Sequence, residues 1–317
     1  NTNFPINKEI YQNNQGKTGN EFLFFLKPEV FFYTSAAQIQ QALKMVFERF
    51  TSFGIHINNI RLFNANFLER NNLIAQHYGV INAVAQNAKK NFTDEAVKNF
   101  SKIYNEDFHS SKVFGSLELL INNPDIDQEK LATLWKSAKI ERLTGGIYSV
   151  KAIYNNEPIY IINGFHPPQI AHFTDEGRYI LAMSLSGNID WKEARQKMIG
   201  NTYPEKAEKG TIRRDLSDLF GNYGFENVSY VINSAHLSAG PLEGLIELMR
   251  FNLSNTPWKY LFGQLLAENF TQNLIDLILT NPVVKFKQTE ASLFDLTEEL
   301  NAAKAIQLLK QIDWESK

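Results

Sequence analysis

The sequence contains no cysteine, which excludes disulfides, thiolate-bound metals and cysteine nucleophiles together. That absence fits a reducing compartment, and a cytoplasmic setting is the expectation. Long apolar runs are missing too. The densest, Phe22 to Leu26, is strand-sized and far short of what spans a bilayer, so no membrane partner is expected. Charge of one sign is not in excess: the formal net charge is -2 over 317 residues. Such a balance gives no bulk attraction for nucleic acid, and none is expected as a partner, although a local basic cleft is compatible with it. The six histidines are scattered, with no two at ligand spacing on one predicted helix, so no protein-held metal is expected. No Gly-rich turn follows the first apolar strand, where Lys27-Pro28 stands instead, and no G-x-S-x-G elbow occurs. Support for a dinucleotide or Walker site and for an α/β-hydrolase is therefore lacking.

What is present suffices for a real core. Hydrophobic residues make up 44% and aromatics 13%, and the length suits one elaborated domain or two small ones. Residues 1–20 are polar and read as an arm. Glu21 to Leu26 is a continuous apolar strand that must stop at Pro28, which cannot donate to a ladder. Ser35 reads as the cap of a helix to about Phe50, and Ile55 to Leu62 alternates as a second strand. Helices are predicted from Phe67 to about Ala88, from Thr93 to Tyr104 and from Asp127 onward. A hairpin follows, Ile147 to Tyr154 and Ile159 to Ile162, joined by Asn155-Asn156-Glu157-Pro158. Ile180 to Leu185 reads as a buried strand, Trp191 to Ile199 as a helix, Val228 to Ile232 as a strand and Pro241 to Phe251 as a helix. Beyond Ser254 the pattern is helical. With the middle hairpin set aside, this order suggests an α+β fold: a ferredoxin-like split βαβ antiparallel sheet with helices on one face. An all-parallel doubly wound sheet is the competing arrangement.

Two stretches carry the chemistry. Asn233-Ser234-Ala235-His236-Leu237-Ser238 leaves the last predicted strand, and Glu247 follows on the helix. A neutral imidazole is a competent nucleophile when a partner fixes its tautomer, and Glu247 could take one ring N–H. Alone, the pair equally describes a satisfied histidine beside an unrelated glutamate, the commoner case. The loop Gly200-Asn201-Thr202-Tyr203-Pro204 and then Gly210-Thr211-Ile212-Arg213-Arg214-Asp215 looks suited to an anion, with a hydroxyl, two guanidinium groups and glycines that let backbone N–H groups approach. A solvated arginine pair is the competing reading. Arg195 lies just upstream, and Lys27 stands at the rim of the first predicted strand.

Together these motifs resemble the nucleoside diphosphate kinase family. Lys27-Pro28-Glu29 ending an apolar strand, His77-Tyr78, Ala182-Met183, the Gly200 to Asp215 loop and Asn233-x-x-His236-x-Ser238 match its pattern in order. The resemblance covers roughly residues 21–82 and 164–251. Residues 83–163 then form an insertion of helices and a hairpin, and residues 252–317 a C-terminal helical extension. It implies that a nucleoside triphosphate phosphorylates His236 and that a diphosphate then takes the phosphoryl group. It also implies that Glu247 holds the ring and Ser238 supports Glu247. Thr202 and Arg213 would bind phosphates, Lys27 and Asn233 the ribose hydroxyls, with Tyr78 beside them. Magnesium would arrive with the nucleotide, and a homo-oligomer is compatible. The chain departs from the pattern in several ways, among them Arg214 where the family has glycine and extra residues between Arg213 and His236. The arginine expected at Gln196 is one position off, at Arg195: either the helix is slightly rewound so that Arg195 serves, or one phosphate contact is missing. Ala239 stands where the family has aspartate, and the insertion interrupts the helical pair over the nucleotide. The alternative function is a catalytically weakened nucleotide-binding interaction or regulatory module.

Overall fold

A computed structural model describes residues 4–13, 17–32, 34–221, 232–287 and 289–314. The chain forms two units, Asn1–Phe67 with Glu176–Lys317, and Leu68–Asp175. In chain order the strands are β1 (Asn7–Gln12), β2 (Asn20–Leu26), β3 (His56–Asn64), β4 (Val113–Gly115), β5 (Glu141–Thr144), β6 (Ile147–Tyr154), β7 (Glu157–Ile162), β8 (Tyr179–Gly187), β9 (Ala235–Leu237), β10 (Val283–Phe286) and β11 (Thr289–Ser292).

The first unit is built on a five-stranded sheet in the order β1-β3-β8-β2-β9, with every neighbouring pair antiparallel. Helix Ala36–Ser52 connects β2 to β3, and helix Ile212–Phe220 lies between β8 and β9. Without β1 this is the ferredoxin-like split βαβ arrangement of an α+β fold. The inner strand β2, between β8 and β9, is buried along its whole length. Successive side chains on a strand point to opposite faces. Phe24 accordingly meets the helix residue Phe50 edge-on at 5.0 Å, while Phe25 stacks on Phe251 at 5.6 Å. Helices therefore cover both faces, because Pro241–Phe251 lies opposite Ala36–Ser52; a continuous apolar strand needs two covers. The Ala36–Ser52 helix starts at a capping box in which Ser35 and Gln38 satisfy each other's backbone N–H, as its sequence indicates.

Three expectations for this unit are revised. Residues 7–12 are not a loose arm but edge strand β1, paired with β3 and tied by Glu9 to Arg61 at 2.9 Å. An edge strand with mostly exposed side chains leaves no hydrophobic pattern to read. The strand expected at Val228 to Ile232 lies outside the described residues except for Ile232. The strand that is described, β9, contains His236, so this histidine sits within a ladder rather than on the link leaving one. The extension beyond Ser254 holds helices Leu261–Asn269, Gln272–Leu279, Leu293–Thr297 and Ala302–Leu309, but also the hairpin β10–β11.

The second unit carries a four-stranded sheet in the order β4-β7-β6-β5. The predicted hairpin is β6–β7, turned at Asn155 and Asn156, whose φ values of 50° and 63° suit a tight left-handed turn. The helix predicted from Phe67 to Ala88 is three short ones, Ala65–Arg70, Leu73–His77 and Gly79–Gln86, interrupted where Asn72 takes φ 51°. The unit extends past residues 83–163 on both sides because flanking segments join its packing. Asn82 before that range and His166 after it meet directly, Oδ1 to Nε2 at 3.1 Å. Among the described residues no helix is long and apolar enough to cross a membrane.

Phe24 is fully buried against Phe50, so Phe24→Ala should cost about 3–5 kcal/mol through lost burial and a cavity. Urea unfolding of the full chain reads this; an unchanged midpoint would contradict the packing described.

Candidate functional site

Pairing of β2 with β9 sets Phe25 directly opposite His236, and the two rings stack with centroids 4.7 Å apart. Phe25 thus forms a fixed floor beneath the imidazole, while 17% of the His236 side chain remains exposed. Nε2 of His236 lies 3.0 Å from Oε1 and 3.1 Å from Oε2 of Glu247. Glu247, expected on an exposed turn, is buried on helix Pro241–Phe251. Its Oε2 accepts a 2.6 Å bond from Ser238 Oγ, which in turn accepts the backbone N–H of Leu23 at 2.9 Å. The relay runs from β2 through serine and carboxylate to the ring. An ionised Glu247 only accepts, so Nε2 carries the ring proton and the lone pair falls on Nδ1.

A second group gathers beside this relay. Arg213 is buried; its Nε donates to the Ala235 carbonyl at 3.1 Å and its Nη1 to the Gly200 carbonyl at 2.9 Å. Gly200 has φ +89°, and a Cβ there would come within 2.6 Å of the Thr211 Cβ, so this turn requires glycine. Asn233 Nδ2 donates to the Thr202 carbonyl at 3.0 Å, which joins the same loop to the segment entering β9. Asp215 steadies the far end of the loop by accepting the Gly210 N–H at 2.8 Å.

Lys27 and Glu29 close the arrangement. The Lys27 N–H donates to the Ser234 carbonyl at 2.8 Å, and the buried Glu29 carboxylate accepts the Ser234 N–H at 2.8 Å. Ser234 is thereby held at φ 70°, a conformation that costs a non-glycine residue about 1 kcal/mol or more. Expected at the rim, Lys27 is instead buried at 3% exposure. Burial lowers its pKa to about 8, with Glu29 opposing and Arg213 adding to the fall.

Arg195 and Tyr78 are placed differently. Arg195 lies on the π-helical turn Ala194–Ile199, which is wound with an extra residue per turn. This is where the sequence pattern slips by one position from Gln196 to Arg195. Its Nη1 donates to the Leu237 carbonyl at 3.3 Å and its Nη2 to Glu298 at 3.1 Å, with Glu299 at 3.9 Å from Nε. Tyr78 belongs to the second unit, where it joins two short helices and its ring lies 6.4 Å from those of His166 and Phe173.

Sequence reasoning did not single out Phe25, Glu298 or Glu299. Phe25 was legible only as one more apolar strand residue, and the two glutamates lie in a distant segment with no local signal. Glu29 was seen as part of the Lys-Pro-Glu turn, but its bond to Ser234 was not. Another half-buried carboxylate, Glu243, accepts the Ala239 N–H at 3.1 Å. Burial first, and then the charge of Glu247, push its pKa up to about 8.

No protein-family model matches the sequence, and no curated protein matches it. Solved structures do. The chain is similar to the nucleoside diphosphate kinase from Encephalitozoon cuniculi at 14% identity, covering 73% of this chain and 87% of that one with a TM-score of 0.35. Similarity to the Aquifex aeolicus nucleoside diphosphate kinase is 16% in identity over 75% and 97% of the two chains, with a TM-score of 0.33. For an NDP kinase from Pyrobaculum aerophilum the identity is 17% over 74% and 95%, and the TM-score 0.36.

The depressed pKa of Lys27 sets a direction for stability. Between about 8, its folded value, and 10.5, its ordinary value, the unfolded chain holds a proton that the folded chain lacks. Stability therefore rises with pH across that window. Lys27→Met should lack this rise, so that wild-type stability gains on the variant across the window, and equal slopes of stability against pH for both proteins would contradict it. Ser238→Ala deletes the donor to buried Glu247, and we expect a loss of about 1–3 kcal/mol by denaturant unfolding.

Proposed function

We propose that this chain is a nucleoside diphosphate kinase-like phosphotransferase that carries a phosphoryl group on His236. The reading is carried by one observation: the imidazole of His236 is bonded through Nε2 to a buried carboxylate that is itself bonded by Ser238. That arrangement puts the proton on Nε2 and the lone pair on Nδ1, the proposed nucleophile, and stabilises positive charge on the ring as it reacts. In the first step Nδ1 forms a bond to the γ-phosphorus of a nucleoside triphosphate. The bond from that phosphorus to the bridging oxygen breaks, and its electron pair leaves with the diphosphate. The second step reverses this onto another diphosphate and returns the lone pair to Nδ1.

Arg213, Thr202 and Arg195 are proposed to bind phosphates, Lys27 and Asn233 the ribose hydroxyls, with Tyr78 beside the nucleotide. A buried guanidinium at Arg213 close to Lys27 supports an anionic ligand, since phosphate oxygens match the forked donors of arginine. Magnesium belongs to the substrate, arriving on the nucleotide's phosphates. Nucleoside tri- and diphosphates are the proposed partners. Self-association into a homo-oligomer and a cytoplasmic setting are part of the same proposal.

A second reading is a nucleotide-binding interaction or regulatory module with weakened turnover. The engagement of Arg195 by Glu298 favours it, because that cation already has an anion.

Incubation with γ-labelled ATP decides between them. An acid-labile, base-stable adduct on the wild type that is absent from His236→Ala is the expected result. An unlabelled wild type that still binds ADP by calorimetry would select the binding module. Arg213→Ala should weaken ADP binding by about 10–100-fold, the value of a lost charge-assisted contact. Unchanged affinity in a folded Arg213→Ala protein would place the phosphates elsewhere.

A further inference from the structure

The segment between helices Leu293–Thr297 and Ala302–Leu309 crosses the first unit beside β9 as a short strap. Both of its ends are pinned. Thr297 is fully buried and bonds back to the Leu293 carbonyl at 2.7 Å. At the other end Asn301 accepts the Trp191 N–H at 3.0 Å and donates to Asp190 at 2.8 Å. Between them the Glu299 N–H donates to the Ala239 carbonyl at 2.9 Å, one residue past Ser238. The approach is close enough that a Cβ on Gly240 would fall 2.5 Å from the Thr297 carbonyl oxygen. Glu299 is held at φ 55°, a conformation a non-glycine residue keeps only when its surroundings enforce it.

This strap delivers two carboxylates to one guanidinium. Glu298 bonds Arg195 Nη2 at 3.1 Å and Glu299 stands 3.9 Å from Nε, while Nη1 is on the Leu237 carbonyl next to His236. A forked guanidinium accepts carboxylate and phosphate oxygens with the same geometry, so the two anions compete for it. Both glutamates keep part of their side-chain surface in water, which lets them swing away without unpinning the strap.

We propose that the Glu298–Glu299 strap is an internal anionic competitor that restrains phosphate binding at Arg195. The inference rests on the phosphate role proposed for Arg195 and adds its regulation: the site is held below its full affinity until the two carboxylates are displaced. A partner or ligand that draws the strap away from Ala239 raises affinity for the phosphate groups, and not for the nucleoside.

The test is a double-mutant cycle on the full chain. ADP and adenosine binding are measured by calorimetry at fixed ionic strength for wild type, E298Q/E299Q, Arg195→Ala and the combination. The glutamine pair should tighten ADP about five-fold, the scale of partly exposed ion pairs, leave adenosine unchanged, and lose its effect when Arg195 is alanine. ADP binding seen in E298Q/E299Q but not in wild type would support the strap still more strongly. Wild-type binding that depends on Arg213 but is unaltered by E298Q/E299Q overturns the strap alone. So does a gain that persists without Arg195, since that would be a general change of surface charge. Absence of ADP binding from every variant overturns the nucleotide reading and the strap with it.

Discussion

The site depends on the short ladder between β2 and β9. It is only three pairs long, yet its register decides three things at once. It sets Phe25 under the His236 ring, brings the Leu23 N–H to Ser238 Oγ and carries the Ala235 carbonyl to the Arg213 guanidinium. A slip of one residue would turn His236 to the opposite face, because side chains alternate along a strand. That register is secured from both faces, by Phe24 on Phe50 and by Phe25 on Phe251. The core and the candidate nucleophile are thus fixed by the same packing.

Electrostatics at the site show a division of labour. On one side of β9, Glu247 is sequestered, with a hydroxyl and an imidazole both bonded to its Oε2, so its charge acts on the ring rather than on water. On the other, burial disfavours the charge of Lys27, and Glu29 opposes this more strongly than Arg213 adds to it. Glu29 also holds Ser234 in its left-handed conformation. One carboxylate therefore favours the Lys27 cation and shapes the turn that enters β9. A polar region of this kind costs stability unless its ligand, or its neighbours, complete it.

The C-terminal extension is part of the same structure rather than an appendage. Asn301 reaches Trp191 and Asp190, Glu299 reaches Ala239, and Glu298 reaches Arg195. These contacts tie residues near the chain's end to the turn that carries Arg195 and to the segment leaving β9. Around Ala239 two glutamates meet its backbone: Glu243 accepts its N–H, and the Glu299 N–H donates to its carbonyl.

The residues themselves determined the strands of the central sheet where burial is two-sided. Phe22 to Leu26 is a continuous apolar run and Ile180 to Leu185 is broken only by Ser184, the pattern of a strand covered on both faces. They likewise determined the Ser35 cap, the Asn155-Asn156 turn and the local grouping of Asn233, His236 and Ser238, because these depend on neighbours a few positions apart. Edge strand β1 and hairpin β10–β11 were not legible, since backbone pairing can hold a strand whose side chains carry no periodic signal. Tertiary structure alone decided that Phe25 underlies His236, that Glu29 bonds Ser234, and that Glu298 and Glu299 meet Arg195. Those contacts join residues tens to hundreds of positions apart, and only the folded chain brings such groups within hydrogen-bonding or stacking distance.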